Sequence, residues 1–188
     1  MQTPSPAQPT VIVLAAGKGA RFLASGGAQH KLHTYIGEYT VLEHTLRAVR
    51  ASGLPFVTVL PEHNPTGGMG DSIAAGVRLC PAAAGWLVLP ADLPWIQPAT
   101  LRVVADALMQ ADAEQVIVPY FEGQAAHPVG FGAACGADLL ALRGEQGAKF
   151  IVAKRTANRL TILDAGSRRD VDTVADLYSM ADLDTSAS

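Results

Sequence analysis

A chain of 188 residues, 49% hydrophobic and 16% charged, is long enough for one packed core, with roughly 70% of the unfolded surface withdrawn from water. A formal net charge of −3 and a pI of about 5.9 argue against a nucleic-acid binder, which carries a basic stripe or a high pI. No uninterrupted apolar run reaches the length of a membrane span, and MQTPSPAQP lacks the basic and apolar regions of a signal peptide. The expectation is a soluble, cytoplasmic domain over residues 10–183 with flexible ends at 1–9 and 184–188.

In chain order, residues 11–14 (VIVL) read as a strand that breaks into a Gly-rich turn, AAGKGAR, ending at Arg21. Gly17 and Gly19 let the backbone approach a ligand, so that amides face an anion while Lys18 and Arg21 add charge. A plain strand-to-helix turn with a solvated Lys18 is the alternative. The pattern is not a Walker loop, and Phe22 stands where a dinucleotide fingerprint needs its third glycine. Lys31 lies in a polar loop between His30 and His33, a histidine pair with no supporting ligand at zinc spacing.

A helix is predicted over residues 40–52, with Leu42, Leu46 and Val49 as its buried stripe and Gly53 as its C-cap. A strand at 56–60 follows, and only about eight residues then separate it from the turn Gly68-Met69-Gly70-Asp71-Ser72, which opens a helix-period run. That turn is either a ligand-facing helix N-terminus or a linker capped by Ser72. A strand at 86–89 leads to Asp92-Leu93-Pro94, and a helix over 98–110 buries Leu101, Val104, Ala105 and Leu108. Residues 116–118 form a further strand. His127 lies in the turn QAAHPVGF, and Arg169-Asp170-Val171-Asp172-Thr173 precedes a last helix carrying Val174, Leu177 and Tyr178. Cys80 and Cys135 lack C-x-x-C spacing and read as small apolar fillers. Continuous apolar strands alternating with helices predict an α/β fold whose mostly parallel sheet is covered on both faces.

Together the front loop, Lys31-Leu32, Gly68 to Ser72 and Asp92-Leu93-Pro94 resemble the signature of nucleotidyltransferases that activate a small phosphate acceptor with an NTP. His127-Pro128-Val129 and LLALRGEQGAK (139–149) narrow the resemblance to the molybdopterin nucleotidyltransferases, MobA/MocA-like, over roughly residues 10–180. The resemblance implies a Rossmann-like, three-layer fold of the nucleotide-diphospho-sugar transferase type. It also implies Mg²⁺-dependent transfer of CMP from CTP, or GMP from GTP, to a molybdopterin acceptor, with a client molybdoenzyme as a further partner. Leu14-Ala15-Ala16-Gly17 and Leu142-Arg143-Gly144-Glu145 look more cytidylyl than guanylyl. The other readings are a nucleotidyltransferase acting on a sugar phosphate, an isoprenoid precursor or another small phosphate acceptor, and a non-catalytic accessory protein that carries the cofactor.

On this resemblance Leu14, Ala15, Ala16, Gly17, Gly19, Arg21, Lys31, Gly70 and Ser72 contact the nucleotide, with Arg21 and Lys31 neutralising the triphosphate. Local cations matter because an NTP carries about four negative charges and the chain is itself acidic. Asp92, at the carboxyl end of a strand, is poised to hold Mg²⁺ through hard oxygen ligands; a turn or N-cap aspartate is the alternative. Asp172 aligns with the second metal ligand, Asp170 being the other choice and helix capping by Asp172-Thr173 the non-metal reading. His127 is implied to touch the acceptor, or else is bonded to backbone.

Overall fold

The computed structural model describes residues 8–64 and 66–178. Of the ends expected to be flexible, residues 1–7 and 184–188 lie outside that range. The elements are β1 (Thr10–Leu14), α1 (Ala20–Ala24), β2 (Tyr35–Ile36), β3 (Tyr39–Thr40), α2 (Val41–Ser52), β4 (Phe56–Val59) and α3 (Met69–Leu79). There follow β5 (Gly85–Pro90), α4 (Pro98–Gln110), β6 (Val116–Phe121), β7 (Gln124–Ala125), β8 (Val129–Gly132), α5 (Gly136–Leu140), α6 (Lys149–Lys154) and β9 (Ala157–Thr161).

Among the described residues seven strands form one sheet in the order β4-β1-β5-β8-β6, with β7 and β9 both paired to β6. β1 runs parallel to β4 and β5, and β9 parallel to β6, whereas β8 is antiparallel to both β5 and β6. The sheet is therefore mostly parallel, as the apolar runs predict, with the short β7 also antiparallel to β6 and β8 inserted between β5 and β6. Its residues, VGFG, carry two glycines and so give little strand signal. β2 and β3 form a separate small hairpin.

Alternate residues of β1 and β5 enter two cores. Val11, Val13, Leu87 and Leu89 pack with α2 and α4, including Leu101, Val104 and Leu108. Ile12, Trp86 and Val88 pack on the other face with Ile73, Val77, Phe131, Leu139 and Ile151. Burial on both faces explains why these strands are apolar without alternation.

Helix α2 matches its predicted span, but its buried stripe is Val41, Thr45, Ala48, Val49 and Ser52, while Leu42 and Leu46 are only half-buried. The stripe is rotated by about one residue from the leucine pattern, because Thr45 enters the core with its hydroxyl satisfied. That hydroxyl donates to the carbonyls of Val41 (3.2 Å) and Ala91 (2.9 Å). The helix begins at a capping box in which the Glu43 amide donates to the Thr40 hydroxyl and the Thr40 amide to the Glu43 carboxylate. The short interval after β4 holds one 3₁₀ turn, Pro61–His63, and leaves β4 as the sheet edge. The last predicted helix is a 3₁₀ turn, Val174–Leu177, capped by Thr173 rather than Asp172.

Candidate active site

Register fixes where the site lies. Leu14 pairs with Val59 on one side and with Pro90 on the other, so β1, β4 and β5 end level and the loops after β1 and β5 emerge side by side. The Ala15 amide donates to the Val59 carbonyl, and the Ala91 amide to that of Leu14. Such aligned carboxyl ends are where an open α/β sheet receives its ligands.

The front loop is held from below. Phe22, the residue that breaks the dinucleotide pattern, is 1% exposed and anchors α1 in the core. Gly19 has φ +62°, and a Cβ there would lie 3.0 Å from the His30 ring, so both its conformation and its space call for glycine. His30 Nε2 in turn bonds the Gly17 carbonyl at 2.7 Å. Among the described residues, the amides of Ala16, Gly17, Lys18 and Gly19 have no partner within the protein. Four adjacent unpaired amides are donors of the kind that suit an anion.

Leu32 is buried in the core, and the 3₁₀ turn Lys31–His33 around it points Lys31 back towards β5. Its ammonium lies 2.5 Å from Asp92 Oδ2 and 3.0 Å from Asp172 Oδ1. The Lys31 and Asp92 side chains are only 14% and 16% exposed. Burial pulls the Lys31 pKa down, but the charge and hydrogen bond of Asp92, aided by Asp172, outweigh it and hold the ammonium protonated above its ordinary range. Arg21 also pairs with Asp172, with its own side chain 81% exposed. Such an exposed pair is readily exchanged for another anion.

Asp170 joins this group, and one carboxylate oxygen from each of Asp92, Asp170 and Asp172 lies within 4.8 Å of the others. Desolvation, with the Asp92 and Asp172 charges added, pushes the Asp170 carboxyl above its usual range. Asp92 Oδ1 is buried without a hydrogen-bond partner. An orphaned carboxylate oxygen among three converging carboxylates fits a hard divalent cation, which takes oxygen ligands and charge compensation together. Asp92 does not cap α4, whose N-cap is Gln97.

His127 stands beside this cluster. Its amide donates to the Ser167 carbonyl at 3.0 Å, and its Nδ1 is enclosed without a partner. Burial lowers its pKa; the Asp92 charge works against that and Lys149 with it, leaving a neutral imidazole favoured.

The Gly68 to Ser72 turn forms the start of α3, with several of its polar groups committed. The Ser72 hydroxyl donates to the Gly68 carbonyl and accepts from Asn64 Nδ2, and the Gly70 amide donates to the Gly144 carbonyl at 2.8 Å. Asp71 accepts from the Gly144 amide at 2.9 Å and from the Thr66 hydroxyl at 2.8 Å. The turn and the LRGEQGAK loop are thus keyed into one wall, on which Gly70 and Ser72 fix the shape. Leu14 and Ala15 likewise spend backbone groups on the sheet. His30 and Asp71 were not legible as site residues, since their partners Gly17 and Gly144 lie in other segments; Asn64 bonds within the turn it precedes, to Gly68 and Ser72.

An α/β sheet of this topology, with unpaired amides after β1 and a carboxylate–lysine cluster beside it, defines the nucleotidyltransferase class of fold. Solved structures of that fold match over nearly their whole length. Rv0371c from Mycobacterium tuberculosis H37Rv aligns with a TM-score of 0.77 at 23% identity, over 93% of this chain and 98% of its own. Its complex with manganese aligns at 0.69 and 24%, covering 90% and 95%. Mth528, a nucleotidyl transferase from Methanothermobacter thermautotrophicus, gives 0.78 at 19% identity, covering 96% and 99%. Molybdopterin-guanine dinucleotide biosynthesis protein A from Archaeoglobus fulgidus gives 0.66 at 14%, covering 94% and 99%. No curated protein sequence matches the chain. Residues 11–160 match the MobA-like NTP transferase domain, and the chain belongs to that family. No helix among the described residues is long and apolar enough to cross a membrane.

Proposed function

We propose that this chain is a divalent-metal-dependent nucleotidyltransferase that moves CMP from CTP to a molybdopterin-type phosphate. The observation that carries the reading is the convergence of Asp92, Asp170 and Asp172, two of them paired with Lys31, at the sheet end where residues 16–19 leave their amides unpaired. In the reaction an oxygen of the acceptor phosphate attacks the α-phosphorus of the NTP. The bond from that phosphorus to the β-phosphate oxygen breaks, and pyrophosphate leaves.

The work is mainly alignment of two anions and offsetting of charge. The amides of Ala16 to Gly19 donate to the triphosphate, and Arg21 exchanges its exposed pairing with Asp172 for phosphate oxygens. Lys31 neutralises charge between the carboxylates and the phosphates. Asp92, Asp172 and Asp170 would hold Mg²⁺ or Mn²⁺, which supplies Lewis-acid stabilisation of the negative phosphoryl oxygens. The neutral His127, whose buried Nδ1 has no partner within the protein, is assigned to the acceptor. The wall of Gly70, Ser72 and Gly144 shapes the side where the base and ribose bind. Membership of the MobA-like family supports a molybdopterin acceptor, as does the likeness in fold to the Archaeoglobus molybdopterin-guanine dinucleotide biosynthesis protein. The sequence elements 14–17 and 142–145 support CTP.

Base choice follows from hydrogen-bonding edges. A site built for cytosine leaves buried polar groups unpaired against guanine, at roughly 1–3 kcal/mol per group, or about ten- to a hundredfold in selectivity. Competition between CTP and GTP for the purified chain with Mg²⁺ is therefore expected to favour CTP by at least about tenfold. A clear preference for GTP would move the assignment to the guanylyl branch.

A further inference from the structure

Asp164 is 2% exposed and takes no part in the chemistry above. Its Oδ2 accepts from the Gln97 amide at 2.9 Å and from the Thr100 hydroxyl at 2.7 Å, and its Oδ1 accepts from the Gly166 amide at 2.9 Å. Its own carbonyl accepts from the Ser167 hydroxyl at 2.6 Å. Gln97 is the N-cap of α4 and Thr100 lies in its first turn. The carboxylate thus sits on a helix N-terminus, where it satisfies an orphan amide and lies favourably in the helix dipole. It reaches that helix from a segment 67 residues further along the chain.

Two neighbouring contacts join the same pair of segments. A Cβ on Gly166 would lie 2.0 Å from the Trp95 carbonyl oxygen, so the backbones approach as only glycine allows. The Val171 amide donates to the Asp92 carbonyl at 2.9 Å. The stretch 164–171 is therefore clamped along 92–100, with Asp92 on one side of the clamp and Asp170 and Asp172 on the other. Asp164 is the buried carboxylate within it, and Arg169 lies over the Trp95 ring at 5.8 Å alongside.

We propose that Asp164 is a positioning residue for the three carboxylates: by pinning residues 164–171 to the start of α4, it sets Asp170 and Asp172 against Asp92 and so sets affinity for a divalent cation. This rests on the metal-binding reading of the site. All its contacts are donors aimed at oxygen, so an amide in its place turns an NH₂ towards another N–H. Groups bonded directly to a metal ligand typically change its affinity by about ten- to a hundredfold; Asp164 acts one step further out, through the backbone of 164–171, so the lower end of that range is expected.

The test is Mn²⁺ titration of the full chain without nucleotide, by electron paramagnetic resonance, for wild type, Asp164→Asn and Thr100→Val. Each is held well below its melting temperature, and its fold is checked by near-ultraviolet circular dichroism. Asp164→Asn is expected to weaken Mn²⁺ binding by about tenfold, and Thr100→Val by less, while CTP binding in EDTA stays unchanged. If Asp164→Asn does not fold, Thr100→Val decides alone. Folded variants that bind Mn²⁺ like wild type would overturn the proposal and leave Asp164 a stabilising residue only. A wild-type chain that takes up no Mn²⁺ would overturn the metal reading, and the proposal with it.

Discussion

Asp92→Asn is expected to lower turnover by at least about a hundredfold, the scale on which loss of one preorganised electrostatic contact acts. The substitution keeps the side chain's volume but removes the charge that faces Lys31 at 2.5 Å and the oxygen that is otherwise buried without a partner. The fold should survive, because Asp92 makes its structural contact through its backbone carbonyl, which accepts from Val171. Steady-state rates with CTP and Mg²⁺, alongside a thermal melt, separate the two effects. Normal turnover by the folded variant would remove Asp92 from the metal site.

Lys31→Ala should be as damaging and for a second reason. It strips the triphosphate of a cation in a chain with no net positive charge, and it leaves Asp92 without its cation and Asp172 with Arg21 alone. CTP affinity with Mg²⁺ should fall by an order of magnitude or more. Stability should fall on the order of 1–3 kcal/mol, less than for a fully buried pair because both partners keep some contact with water. Arg21→Ala should weaken CTP without the stability loss, since Arg21 is largely exposed. Calorimetric titration reads both variants, and unchanged affinity in both would end the phosphate-loop assignment.

β1, β5 and β6 were legible because burial on both faces leaves them apolar, and α4 because its buried positions repeat at helical spacing. The stripe of α2 was misplaced by one residue because Thr45 is polar by composition yet buried, its hydroxyl spent on Ala91. β8 and β9 escaped notice for related reasons. The first is half glycine, and the second, ANRLT, is an exposed strand with mostly polar residues. Asp92 and the front loop could be read locally, since a strand end and a glycine turn are sequence features. The partnership of Lys31 with Asp92 and Asp172 could not, because those residues lie 61 and 141 positions away. Asp164 was missed on the same grounds, although Asp-Ala-Gly-Ser is a recognisable turn sequence.

The claim at the centre is that this cluster transfers a nucleotidyl group, and pyrophosphate release tests it most directly. The purified chain is incubated with each NTP in turn, with molybdopterin and Mg²⁺, and again with EDTA or without acceptor. Pyrophosphate should appear fastest with CTP, should require both the acceptor and the divalent cation, and should match the nucleotidylated product one to one. Absence of pyrophosphate with every NTP, from a folded chain that binds both the acceptor and Mg²⁺, would contradict the account.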